Sequence, residues 1–175
     1  MSRSASSSAA LPIAYAVLRI LIIVNWVSGA AILALLVVLP NREWIMSSLD
    51  LSPGPEADRV VMGLRAVGVI GVALVPLYYA ALKRLLAIVE TVRTGDPFVA
   101  ANARRLQGIA WVLLALQLVS LVVGAIDKAI STPSHPVDLD AGFSINGWLA
   151  VLLVFVLARV FAEGTRMREE LEGTV

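Results

Sequence analysis

Residues Ile109–Ile126 read IAWVLLALQLVSLVVGAI, eighteen consecutive positions without a charged side chain. A helix of about 20 apolar residues crosses a hydrocarbon core of roughly 30 Å, and an uncharged run of this length marks such a crossing. It is too long for a strand and lacks the strict alternation of a membrane barrel. Three other stretches read the same way: about 13–39, then 60–82 with a single Arg65, then 143–161 with Arg159 near its end. The sequence therefore predicts an all-α, integral membrane four-helix bundle, with residues 1–175 forming a single transmembrane domain.

Composition points to the same solvent. Of 175 residues 59% are hydrophobic and 15% charged, with a mean hydropathy of +0.86, where a soluble domain carries roughly 45–50% and about 25%. One core cannot hide that excess, which excludes a soluble globular enzyme and a disordered tail. A net charge of +1 gives no general attraction to polyanions, so no direct nucleic-acid binding is expected. The absence of cysteine excludes disulfides, thiolate metal sites and cysteine nucleophiles. The serine- and alanine-rich start with Arg3 suggests the head of a signal peptide. The apolar stretch after it exceeds the roughly 7–15 residues of a signal core, so the first span is read as uncleaved.

Orientation follows from Lys and Arg. Between spans two and three lie Lys83, Arg84, Arg93, Arg104 and Arg105, and the chain ends add Arg3, Arg19, Arg159, Arg166 and Arg168. The other two loops carry Arg42, Arg59 and Lys128 against Glu43, Asp50, Glu56, Asp58, Asp138 and Asp140. Both termini are thus expected in the cytoplasm, with the bundle in the inner (plasma) membrane.

Beyond the second span, Leu82, Leu85, Leu86 and Val89 continue on one helical face. The helix then meets Gly95-Asp96-Pro97-Phe98, where Gly95 suits a helix-closing residue, Asp96 an N-cap and Pro97 a first helical position. A cytoplasmic helical hairpin between spans two and three is expected, its second helix starting at Phe98. Arg104 and Arg105 would either hold it to anionic headgroups, at about 1 kcal/mol each, or contact a protein partner.

Gly95-Asp96-Pro97-Phe98, Asn102, Arg105-Leu106 and Ile109-Ala110 together resemble the bacterial domain-of-unknown-function family numbered 2975. So do Phe143-Ser144-Ile145-Asn146-Gly147, Phe161-Ala162-Glu163-Gly164 and the acidic finish from Met167 to Thr174-Val175. Gly173 departs from the leucine expected before the closing Thr-Val. The resemblance implies a four-span inner-membrane protein with no assigned activity. Such proteins are often encoded beside a small helix-turn-helix regulator, which implies a cytoplasmic transcriptional regulator as partner.

Polar groups inside lipid usually face a bundle interior. Arg65 and Asp127 sit at similar depth and are candidates for a structural ion pair, the alternative being that Arg65 snorkels to headgroups. Gln117, Ser120, Gly124 and Asp127 share one face of span three. Asn25 and Ser28 of span one and Asn146 of span four are candidate partners for that face, which could instead line a small-ligand pocket. Gly63, Gly68 and Gly71 lack the four-residue small-residue repeat and argue only for close packing. Trp26 is read as buried in span one, and Trp44, Trp111 and Trp148 as anchors near span ends. His135, the single histidine, with Asp138 and Asp140 falls short of a metal site.

No nucleotide-binding, nucleophile-elbow or zinc-protease motif occurs. No enzyme activity, cofactor or metal is expected. The reading favoured is an anchoring or sensing interaction protein embedded in the lipid bilayer. The alternative is a subunit of a small homo-oligomeric transporter or channel.

Overall fold

The computed structural model describes residues 5–38, 47, 54–131 and 139–172. Four long helices dominate them: α1 (Ala5–Val38), α2 (Pro55–Arg93), α3 (Ala100–Ile130) and α4 (Ile145–Glu172). All four are long and apolar enough to cross a membrane. The architecture is an all-α four-helix bundle. The readings placed on Trp44, His135, Asp138 and the closing Thr174-Val175 lie outside the described residues.

The helices run longer than the spans predicted from hydropathy. α2 has 39 residues, about 58 Å at 1.5 Å per residue, against roughly 30 Å of hydrocarbon. Hydropathy marks where a chain suits lipid, and a helix continues wherever one face still packs. α2 starts well for electrostatic reasons, with Pro55 first and Glu56 and Asp58 in its opening turn. Pro12 and Pro76 lie inside α1 and α2. Each lacks the N–H of one intrahelical bond, which a membrane helix tolerates when neighbouring groups re-satisfy the freed carbonyl.

The chain divides into two compact units, one of residues 26–76 and 115–145, the other of 1–25, 77–114 and 146–175. In the first, Ala57, Val60 and Ile130 form a buried cluster, with Leu64 and Ile126 packed against it. Glycines set its helix contacts. Leu36 and Ile32 of α1 lie over Gly68 and Gly71 of α2, Val75 of α2 lies over Gly29 of α1, and Ile130 of α3 lies over Gly63. Large side chains seated on glycines bring helix backbones close, which is how helices gain packing energy in lipid without a hydrophobic driving force.

In the second unit Leu106, Ile109 and Ala110 of α3 are buried, as are Ala81 of α2 and Val151 and Ala158 of α4. Outside these cores the helices present bare apolar surface, including Ile13, Ile20, Ile23 and Val27 of α1. Water would not tolerate a patch of that extent; acyl chains do. Trp26 belongs to this surface. It is 53% exposed and not buried as its position in mid-span suggested, because α1 turns only a narrow stripe through Gly29, Ile32 and Leu36 towards α2.

Candidate functional site

The best-defined polar structure lies where α2 hands over to α3. Gly95 has φ +89°, its amide donates to the Val92 carbonyl, and the Asp96 amide donates to the Thr91 carbonyl. These two bonds, spanning three and five residues, are a Schellman closure with Gly95 in the left-handed position. The expected Asp96 N-cap is not what forms. α3 begins at Ala100, later than Phe98, and Asp96 completes the end of α2. Its carboxylate is taken by Arg168 of α4, Nη1 to Oδ1 at 2.5 Å. Phe98 explains the delay: ahead of the helix it stacks on Phe161 of α4 with ring centroids 5.3 Å apart. It also covers Gly164.

Asn102 locks this turn from behind. Its side chain is fully buried, 0% exposed. Nδ2 donates to Thr91 Oγ1 at 2.6 Å and to the Pro97 carbonyl at 2.8 Å. Oδ1 accepts from Arg105 Nη1 at 2.7 Å, and the same Nη1 reaches the Ala87 carbonyl at 3.3 Å. Helix α2, the turn and α3 are thereby cross-linked by one amide and one guanidinium. Arg105 is a structural brace and Arg104, its neighbour in sequence, is not part of it.

Several other basic groups around the hairpin are engaged as well. Arg84 donates to the Ala80 carbonyl at 3.0 Å, and Lys83 lies over the Tyr79 ring. Arg93 pairs with Glu90 at 3.3 Å and lies over the Tyr15 ring, which Arg19 shares. Arg166 bridges Glu163 and Glu170.

Arg104 and Arg159 face a groove between α3 and α4 of about 430 Å³. Its floor exists because Ala100, Ala103, Ala158 and Ala162 leave it unfilled, and Phe155 closes one end. Gln107 lies beside Arg104 on α3, and Arg166 and Glu169 stand at the far end on α4. Sequence reading singled out Arg104 and Arg159 separately and missed the groove. The available signal was alanine at helical spacing on two consecutive helices, each row flanked by an arginine.

In the other unit the polar face of α3 meets the chain leading into α4. Ser120 Oγ donates to the Gly142 carbonyl and accepts from the Gly142 amide, both at 3.1 Å. Gln117 Nε2 reaches the Ser144 carbonyl at 3.4 Å. Gly124 lies against the backbone of Ala141 and Gly142. Backbone groups of this connector, rather than side chains such as Asn25 or Asn146, serve Ser120 and Gln117; Asn146 is exposed in the first turn of α4.

Arg65 is exposed and Asp127 half-buried. Asp127 Oδ1 is buried without a hydrogen-bond partner, and the ion pairs among the described residues do not join it to Arg65. Asp127 also stands near the C-terminal end of α3, where a negative charge opposes the helix dipole. Asp127→Asn is therefore expected to leave stability unchanged or raise it by about 0.5 kcal/mol. Thermal unfolding in detergent reads this directly; a loss comparable to a broken buried ion pair would restore the pairing.

A family model described as protein of unknown function (DUF2975) matches residues 14–175. No curated protein and no solved structure matches the chain.

Proposed function

Because the chain belongs to the family of proteins of unknown function DUF2975, we propose from its own geometry that it is a membrane-embedded interaction protein presenting the braced α2–α3 hairpin to a cytoplasmic partner. The observation that carries this reading is the hairpin itself. α2 is 39 residues long, so about half of it lies beyond what a bilayer core needs. The part near the turn is held by a helix closure, a buried asparagine, a bracing arginine and an ion pair to α4. Such rigidity suits a surface that another protein must recognise, since little ordering entropy remains to be lost on binding.

Charge supports the sidedness. By sequence the unit containing the hairpin has ten Lys and Arg against six Asp and Glu, and the other unit has four against seven. The positive-inside rule then sets the hairpin and both termini in the cytoplasm of an inner-membrane protein. A helix-turn-helix regulator, the partner implied by family resemblance, would meet the hairpin there. Conduction is the weaker reading, because Gln117 and Ser120, the polar face it would use, are committed to the 142–144 backbone.

Sidedness is tested with single cysteines in this cysteine-free chain. A cysteine replacing Ser134 should react with a membrane-impermeant thiol reagent in intact cells, and one replacing Thr94 only after lysis; the reverse pattern overturns the orientation. A photo-crosslinker at Thr94 should then trap a DNA-binding protein identifiable by mass spectrometry. Adducts to lipid alone would remove the partner.

A further inference from the structure

We propose that the α3–α4 groove is a binding site for an anionic phospholipid, its phosphate held between Arg104 and Arg159. This goes beyond the partner reading and does not depend on it.

The argument starts from which cations are already used. At this end of the molecule Lys83, Arg84, Arg93, Arg105, Arg166 and Arg168 each have a carbonyl, carboxylate or ring as neighbour. Arg104 and Arg159 differ: among the described residues neither has a hydrogen-bond or ion-pair partner. Both line the same groove. Two guanidinium groups lining one groove without a hydrogen-bond or ion-pair partner each offer a planar fork of donors that matches phosphate oxygens. Gln107, one turn along α3 from Arg104, adds an amide donor at the same wall.

Polarity along the groove selects a lipid over a water-borne anion. Arg166 and Glu169 mark the wet end, and Glu169 lies ten residues beyond Arg159, about 15 Å along the helix. Its negative charge is therefore set well along α4 from Arg159. In the opposite direction the lining becomes Gln107 on α3 and Ala158 and Phe155 on α4. Phe155 carries Trp111 edge-on at 5.3 Å, and Trp111, Leu152 and Val156 beside it are more than half exposed. A groove charged at its middle and continuous with bare apolar surface at one end fits a headgroup with an acyl chain below it. Free phosphate would use only the upper half.

The test uses the full chain purified in detergent micelles, with lipid binding followed by native mass spectrometry. Phosphatidylglycerol should bind on the order of tenfold more tightly than phosphatidylcholine, as expected when two basic residues add to the attraction for an anionic lipid. R104Q/R159Q should abolish that preference. R59Q/K128Q, an equal change of charge at exposed positions away from the groove, should retain it. R104Q alone should lose part of it, which keeps the test open if the double variant unfolds. Equal binding of the two lipids by the parent chain, or a preference surviving in R104Q/R159Q, overturns the site. Displacement of phosphatidylglycerol by millimolar inorganic phosphate assigns the groove to a soluble anion and overturns the lipid.

Discussion

Gly124→Ala should destabilise the protein by about 2 kcal/mol, and Gly124→Val by about 3 kcal/mol or more, the range for overfilling a close-packed site. A Cβ at position 124 would lie 2.6 Å from the Gly142 Cα and 2.9 Å from the Ala141 carbonyl oxygen. Both are backbone atoms, so no rotamer change can make room. Nor can the connector retreat freely, because Ser120 grips the Gly142 amide and carbonyl together. Gly142 itself has φ +124°, a conformation that leaves it no substitute with a side chain. Gly71→Ala provides the contrast. There the added methyl meets Ile32 at 3.5 Å, an ordinary contact, and the gain from replacing a mid-helix glycine is roughly 0.5–1 kcal/mol. Thermal unfolding in detergent should therefore move in opposite directions for two chemically identical substitutions. Equal shifts would mean that the close approach of Gly124 to the connector does not exist.

That contrast also shows where sequence reading stops. The four spans were legible because hydropathy is a local, additive property that any uncharged run such as Ile109–Ile126 displays. Gly95 was legible because a left-handed helix end leaves few alternatives to glycine. What Gly124 touches was not, since a glycine announces close approach without naming the neighbour. The Asp96 cap failed for a related reason: Asp-Pro after glycine satisfies the local rules for a helix start, yet stacking of Phe98 on Phe161 and capture of Asp96 by Arg168 delay the helix. Those partners lie more than sixty residues away. Arg104 and Arg105 are adjacent and chemically identical in sequence, and 100° of helix rotation gives one a bracing role and the other a groove.

Asn102 carries the second large effect. Asn102→Ala should cost about 3 kcal/mol, because truncation leaves the half-buried Pro97 carbonyl without its donor and strips Arg105 of its nearest acceptor, each lost partner being worth roughly 1–3 kcal/mol. The near-isosteric Asn102→Asp is the sharper probe. Its shape is retained, and a carboxylate would still attract Arg105. The atom that replaces Nδ2, however, would face the Pro97 carbonyl at 2.8 Å, two acceptors with no proton between them, and Thr91 Oγ1 already directs its own hydrogen to the Ile88 carbonyl. Asn102→Asp is thus expected to fail about as badly as alanine, with the turn at 94–99 becoming a new site of limited proteolysis while the spans stay folded. Arg105→Gln should cost less, since a neutral amide can still donate to Asn102 Oδ1. If Asn102→Asp behaves as the parent in both thermal unfolding and proteolysis, Arg105 alone holds the hairpin and the amide is dispensable. If alanine fails and aspartate fails with it, the donors of Asn102 are what close the hairpin, and its rigidity traces to one buried side chain.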